Sequence, residues 1–139
     1  MILEWGTAMT TLQPLLALAG RIMLSIIFLA SGWAKITGYA GTQEYMESVG
    51  LSGSLLPLAI LVEVIGGLMV VFGFYTRWAA LGLAGFTIVS AIFFHADFAD
   101  MNQMIHLQKN IAIAGGFLLL AAFGPGAWAF DRQPRTPNW

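Results

Sequence analysis

LLPLAILVEVIGGLMVVFGF, residues 55–74, is the stretch whose reading decides the fold. As a helix it is long enough to cross a hydrocarbon core of about 30 Å. It is apolar except for one carboxylate, Glu63. An acid at membrane depth costs roughly 2.5–3.5 kcal/mol or more, so it faces a bundle interior and takes a partner there. The remaining chain offers five such partners, Arg21, Lys35, His95, His106 and Lys109, all in or at the ends of other apolar stretches.

Three further stretches of this kind flank it, at 14–36, 78–95 and 106–123. Composition agrees. Hydrophobic residues make up 58% of the 139 residues and charged ones 9%, against about 25% charged in a soluble domain. A soluble domain of this length has too little interior to hide that much apolar surface, so the solvent is lipid. The expected fold is an all-α bundle of four transmembrane helices in a single domain, with residues 124–139 as an interfacial or disordered tail. A net charge of −1 gives no reason to invoke nucleic acid. With no cysteine in the chain, thiol catalysis and thiolate metal sites within it are excluded.

In the first span, Pro14 suits a first-turn position, where its missing N–H has no partner to lose. The lead 1–13 lacks the basic start of a secretory signal, so the apolar run after it reads as a retained helix. Arg21 and Lys35 lie roughly 21 Å apart along that helix, and both read as snorkelling end-anchors unless the bundle interior claims them. Phe28, Gly32 and Lys35 share one face. Residues 37–54 form the longest loop, with a short helix expected over 42–49. In the later spans Gly66, Gly67, Gly82, Gly85, Gly115 and Gly116 are small-residue packing positions. Their number makes a homo-oligomer one of the expected partners, beside membrane lipids.

Four spans put both termini on one side. Arg77, Arg132 and Arg135 fall on that side with Arg21 nearer to it, so the positive-inside rule makes the termini cytoplasmic. At the other side Lys35 ends span one, Glu63 lies roughly 12 Å deep in span two, and His95 ends span three. His106, Lys109 and Asn110 begin span four on a shared face. Glu63, Lys35, His95, His106, Lys109 and Asn110 therefore converge on one cavity in the outer half of the bundle.

Such a constellation supports several chemistries. Glu63 paired with Lys35 or Lys109 can simply fix the fold. The same groups can bind the oxygens of a quinone-like head group, with an imidazole passing protons to the outer water. Haem ligation by His95 and His106 is the weaker third reading, because both sit near span ends and only Asp97 and Asp100 are nearby. A dedicated metal site is not expected. A solute pathway lacks the repeat and broken-helix signs of a transporter.

The ordered set of motifs also resembles a known family. It consists of RIMLSIIFLASGWAKI (21–36), LVEVIGGLMVVFGFYTRWAA (61–80), AIFFH ending in His95, and HLQKNIAIAGGFLLL (106–120). Together these resemble the DoxX family of small four-helix bacterial membrane proteins, in its YphA/YqjF-like inner-membrane branch. The resemblance implies a multi-pass protein of the bacterial inner membrane associated with a membrane redox system, with redox-protein subunits as partners. It points to Lys35, Glu63, His95, Lys109 and Asn110 as the matching positions, and does not by itself establish catalysis by the chain, which would be that of an oxidoreductase-associated subunit.

Overall fold

The computed structural model describes residues 2–132. Five α-helices follow in order: α1 (Ile2–Thr37), α2 (Tyr39–Ser48), α3 (Leu56–Phe72), α4 (Thr76–Phe94) and α5 (Met101–Phe123), with a 3-10 turn over Gly53–Leu55 before α3. There is no strand among the described residues. The helices α1, α3, α4 and α5 are long and apolar enough to cross a membrane, and α2 is the short amphipathic exception.

Three boundaries differ from the sequence reading, each for a local reason. First, α1 starts at Ile2 and runs through Pro14 instead of starting there. Proline inside a helix removes one backbone bond, but Ala8, Met9, Leu12, Gln13, Leu15 and Leu16 around it are good helix formers that carry the helix through. Second, α5 starts at Met101, because the Asp100 carboxylate accepts from the Asn102 N–H (2.9 Å) and caps it there. His106 thus sits in the second turn rather than at the start. Third, most of the expected 37–54 loop is helical, and α2 begins at Tyr39, earlier than residue 42.

The helix α5 packs along α4, α4 against α3, and α3 along α1. The row closes only where α1 meets α5 over a short stretch. There the Phe28 and Phe117 rings meet edge-on, 5.4 Å between centroids, and Leu24 lies on Gly116. Phe28, Val70, Ala80, Leu83 and Phe117 form the buried core. Large apolar side chains such as Met23, Trp33, Leu58, Trp78, Ile92 and Phe123 point outward, as lipid permits. In lipid the helices gain little from hiding apolar surface, so association rests on close packing. Gly32 and Gly67 supply it on the α1–α3 face. A Cβ on Gly32 would stand 2.6 Å from Val64 Cγ2, and one on Gly67 2.9 Å from Leu29. Gly82, Gly85 and Gly115 play no such part, since a Cβ on any of them would meet nothing within 4 Å.

A left-handed Gly73 (φ 68°) ends α3. Its N–H bonds Val70 and the next N–H bonds Met69, the double closure that makes glycine the residue of choice at this position. The chain then turns directly into α4. Residues 124–132 are no loose tail. They fold back over this turn, with the Phe130 N–H donating to the Phe72 carbonyl (3.1 Å) and the Asp131 N–H to the Gly73 carbonyl (2.7 Å). The remainder of the expected tail, 133–139, lies outside the described residues.

Candidate functional site

Glu63 sits two turns into α3 and is 4% exposed. Lys35, in the last turn of α1, donates from Nζ to Glu63 Oε1 at 2.9 Å. Ser31, one turn before Lys35, donates to the same oxygen at 3.0 Å, and Lys35 Nζ also donates to Ser31 Oγ at 2.6 Å. The close α1–α3 approach at Gly32 brings these three groups together, because Gly32 lies beside Glu63 Cβ. The other carboxylate oxygen, Oε2, is buried and accepts no hydrogen bond from the described residues.

The triad forms part of the wall of a cavity of about 650 Å³. The Phe28–Phe117 contact closes α1 against α5, and on the Lys35 side of that closure the two helices leave room between them. Val62, Phe86, Phe93 and Ile113 give the cavity apolar walls. Thr42, Tyr45 and Met46 of α2 line it too, and the Tyr45 ring stacks on Phe94 at 5.2 Å, which ties α2 to the end of α4. Lys109 and Asn110 reach it from α5 and His95 from the end of α4.

Of the six residues singled out in the sequence, the structure places five on this cavity: Glu63, Lys35, His95, Lys109 and Asn110. His106 is not among its lining residues. It stacks on His95, with ring centroids 5.0 Å apart and planes 28° from parallel, and its Nδ1 lies 3.3 Å from Lys109 Nζ. Two imidazoles in direct stacking contact have no gap between them for a macrocycle, so this arrangement does not suit haem. Burial, and then the neighbouring His106 and Lys109, hold the His95 imidazole below its ordinary pKa. Among the described residues no three His, Asp or Glu side chains cluster as a metal site would require.

Ser31 and Tyr45 are among the wall residues that escaped the sequence reading. Ser31 was legible in principle, since it precedes Lys35 by four residues on the same face. Tyr45 was not, because its place depends on how α2 folds over the bundle.

A second polar cluster lies at the opposite end. Arg21 is no surface anchor: it is 1% exposed. Its Nη2 donates to the Trp128 carbonyl, while Nε and Nη1 find no hydrogen-bond partner among the described residues. The Asp131 carboxylate accepts the Tyr75 and Thr76 N–H groups, both at 2.7 Å, and so caps α4. Burial acts to raise the Asp131 pKa, but hydrogen bonds from Thr76 and Tyr75, with the charge of Arg21, outweigh it and hold the carboxyl below its ordinary range.

The sequence model of the DoxX family matches residues 16–96. The chain belongs to the DoxX family. It is 52% identical over 124 residues to the inner membrane protein YqjF of Escherichia coli (strain K12), covering 89% of this chain and 95% of the relative. It is 38% identical over 129 residues to the inner membrane protein YphA of the same organism, covering 87% and 91%. A third relative, named "Putative oxidoreductase CatD", of Bacillus subtilis (strain 168), is 35% identical over 111 residues, covering 74% of this chain and 82% of its own length. No solved structure matches. The DoxX match runs from α1 to just past α4 and includes Lys35, Glu63 and His95. Lys109 and Asn110 fall beyond it, on α5.

Proposed function

We propose that this DoxX-family protein holds a lipophilic small molecule with a polar head in the Glu63 cavity, as an accessory subunit of a membrane redox system. One observation carries the reading. A buried carboxylate, already paired with Lys35 and Ser31, stands in the wall of an otherwise largely apolar cavity of about 650 Å³. That volume falls within the range of small-molecule sites, which combine apolar walls with a few convergent polar groups. Lys109, Asn110 and His95 supply further polar groups on the same cavity. The name of the Bacillus subtilis relative supports the redox setting, and the names of the two Escherichia coli relatives support an inner-membrane location. The arginines at the terminal end favour cytoplasmic termini, which turns the cavity toward the outer side.

The test is lipid extraction and native mass spectrometry of the protein purified in mild detergent, with optical spectra of the same sample. A co-purifying lipophile that is lost in Glu63→Gln while the helical content stays intact supports the reading. A ligand-free, colourless bundle in both forms overturns it. One observation favours a purely structural role instead: Lys35, Ser31 and Glu63 already satisfy one another around Oε1. Under that reading Glu63→Gln lowers stability and changes no bound species.

A further inference from the structure

A second cavity, of about 250 Å³, opens at the terminal end of the bundle, between the start of α4 and the returning segment 124–132. Arg77 and Trp78 line it from α4, and Asp131 and Arg132 from the returning segment. Its charges do not cancel. The Asp131 oxygens are already occupied by the Tyr75 and Thr76 N–H groups, and the buried Arg21 balances the charge of that carboxylate. Arg77 and Arg132 are exposed, and neither forms an ion pair among the described residues. Arg77 Nη1 donates to the Ala122 carbonyl in the last turn of α5 at 3.1 Å. That bond holds the guanidinium in place and uses one of its donors, out of the five that an arginine carries. The cavity therefore presents uncompensated positive charge and free N–H groups to an anion.

Its place in the fold narrows the choice of anion. A membrane-spanning helix begins here, so the cavity lies at the level of lipid head groups. The exposed Tyr75 and Trp78 are of the aromatic type that belongs at that level. Along α4, Gly82 and Gly85 share a face with Trp78. A Cβ on either glycine would meet nothing within 4 Å, so the packing of the bundle makes no use of their missing side chains. They leave a strip of bare backbone that runs roughly 10 Å along the helix from Trp78, wide enough in that direction for part of an acyl chain. A soluble anion would use the arginines alone, whereas a lipid uses both features.

We propose that this cavity holds the head group of an anionic glycerophospholipid, with its phosphate on Arg77 and Arg132 and an acyl chain along Trp78, Gly82 and Gly85. Guanidinium groups bind phosphate oxygens through paired N–H donors, and basic pockets between membrane helices hold anionic head groups in this way. The site lies at the opposite end of the bundle from the Glu63 cavity and does not depend on what that cavity holds.

The test is native mass spectrometry of the full chain released from detergent, titrated with phosphatidylglycerol or with phosphatidylcholine of identical acyl chains. The expected result is phosphatidylglycerol bound about tenfold or more tighter, the combined effect of two basic residues on one anionic head group. In an Arg77→Gln/Arg132→Gln variant the two lipids should bind alike. Equal affinities in the native protein overturn the proposal, and so does a preference that survives the double substitution. Displacement of the lipid by an equal concentration of free glycerol 3-phosphate would show that the phosphate alone is read, and would overturn the lipid assignment. Gly82→Leu/Gly85→Leu fills the strip and should weaken phosphatidylglycerol binding. A dimer of the native chain that this variant abolishes would assign the strip to a second copy and overturn the acyl-chain placement. The comparison of the two lipids needs no variant, so a substituted protein that fails to fold does not remove the test.

Discussion

The two ends of this bundle treat a buried charge in opposite ways. At the end near the termini, the chain covers Arg21 with its own residues 124–132 and sets Asp131 close enough to attract it, while Asp131 also caps α4. At the other end, Glu63 is paired with Lys35 and Ser31, yet the helices part and leave about 650 Å³ beside it. Both charges stand at membrane depth on apolar helices. A closed cluster, with the chain folded over the charge, is what stability requires. A cavity of this size forfeits packing contacts that the bundle would otherwise make, so its presence beside a buried acid is what points to a ligand.

The sharpest way to break the closed end is Gly73→Val. The residue has φ 68°, where a β-branched side chain is strained, and a Cβ there would run into the Arg21 guanidinium and Ala129. The expected loss is about 3 kcal/mol, read as a fall in the unfolding midpoint in detergent. Faster proteolysis at Trp128 and Phe130 should accompany it. An unchanged midpoint would mean that 124–132 contributes nothing to holding Arg21. Asp131→Ala acts at the same end without the steric clash. It orphans the Tyr75 and Thr76 N–H groups and removes the negative charge near Arg21, for a loss of about 2 kcal/mol. Asp131→Asn, which keeps one acceptor, should recover part of it.

At the open end, charge and cavity can be separated. Lys35→Met alone leaves Glu63 buried against Ser31 only, and should cost about 2 kcal/mol, less than for a fully buried pair because the Lys35 side chain is 24% exposed. Lys35→Met combined with Glu63→Met should recover most of that, because apolar replacements of a buried pair are often neutral or better. The double variant should then be a stable bundle that binds no lipophile. If it keeps the lipophile, the pair is structural only. Removing Arg21 and Asp131 together should give no such recovery, since the Tyr75 and Thr76 N–H groups at the start of α4 then lose their acceptor.

The smallest effect concerns pH. His95 has a pKa below that of a free imidazole, first through burial and then through His106 and Lys109. The unfolded chain therefore binds a proton at a pH where the folded chain does not, and stability falls as pH drops through the ordinary imidazole value near 6.5. Midpoints taken between about pH 8 and pH 5 should show this decline, with a shallower slope in His95→Gln. Equal slopes would place His95 in a more open setting than the structure gives it.

Much of the outer site was legible because it obeys span order and helical rise. Glu63 was conspicuous as an acid in an apolar span, and counting residues from the span ends put Lys35, His95, Lys109 and Asn110 at a similar depth. His106 shared their helix face, but its ring stacks on His95 instead of reaching the cavity wall, a contact between α4 and α5 that helical spacing does not encode. Arg21 was misread as an anchor for a different reason. Its acceptor, Trp128, lies more than a hundred residues later, in a segment whose closely spaced glycines and proline resemble any loose terminus.

By itself, the sequence determined the solvent and the architecture. So little charge and so much apolar length can be satisfied only by helices in lipid, where every backbone group must bond within its own segment. It also determined the depth of each charge, because helical rise is fixed. Tertiary structure decided which charge is sealed and which faces a cavity. That outcome depends on where α1 and α5 meet at Phe28 and Phe117, on α2 folding beside the space they leave, and on the return of 124–132 over Arg21. These are contacts between distant segments, set by side-chain shape, and no local pattern in the chain encodes them.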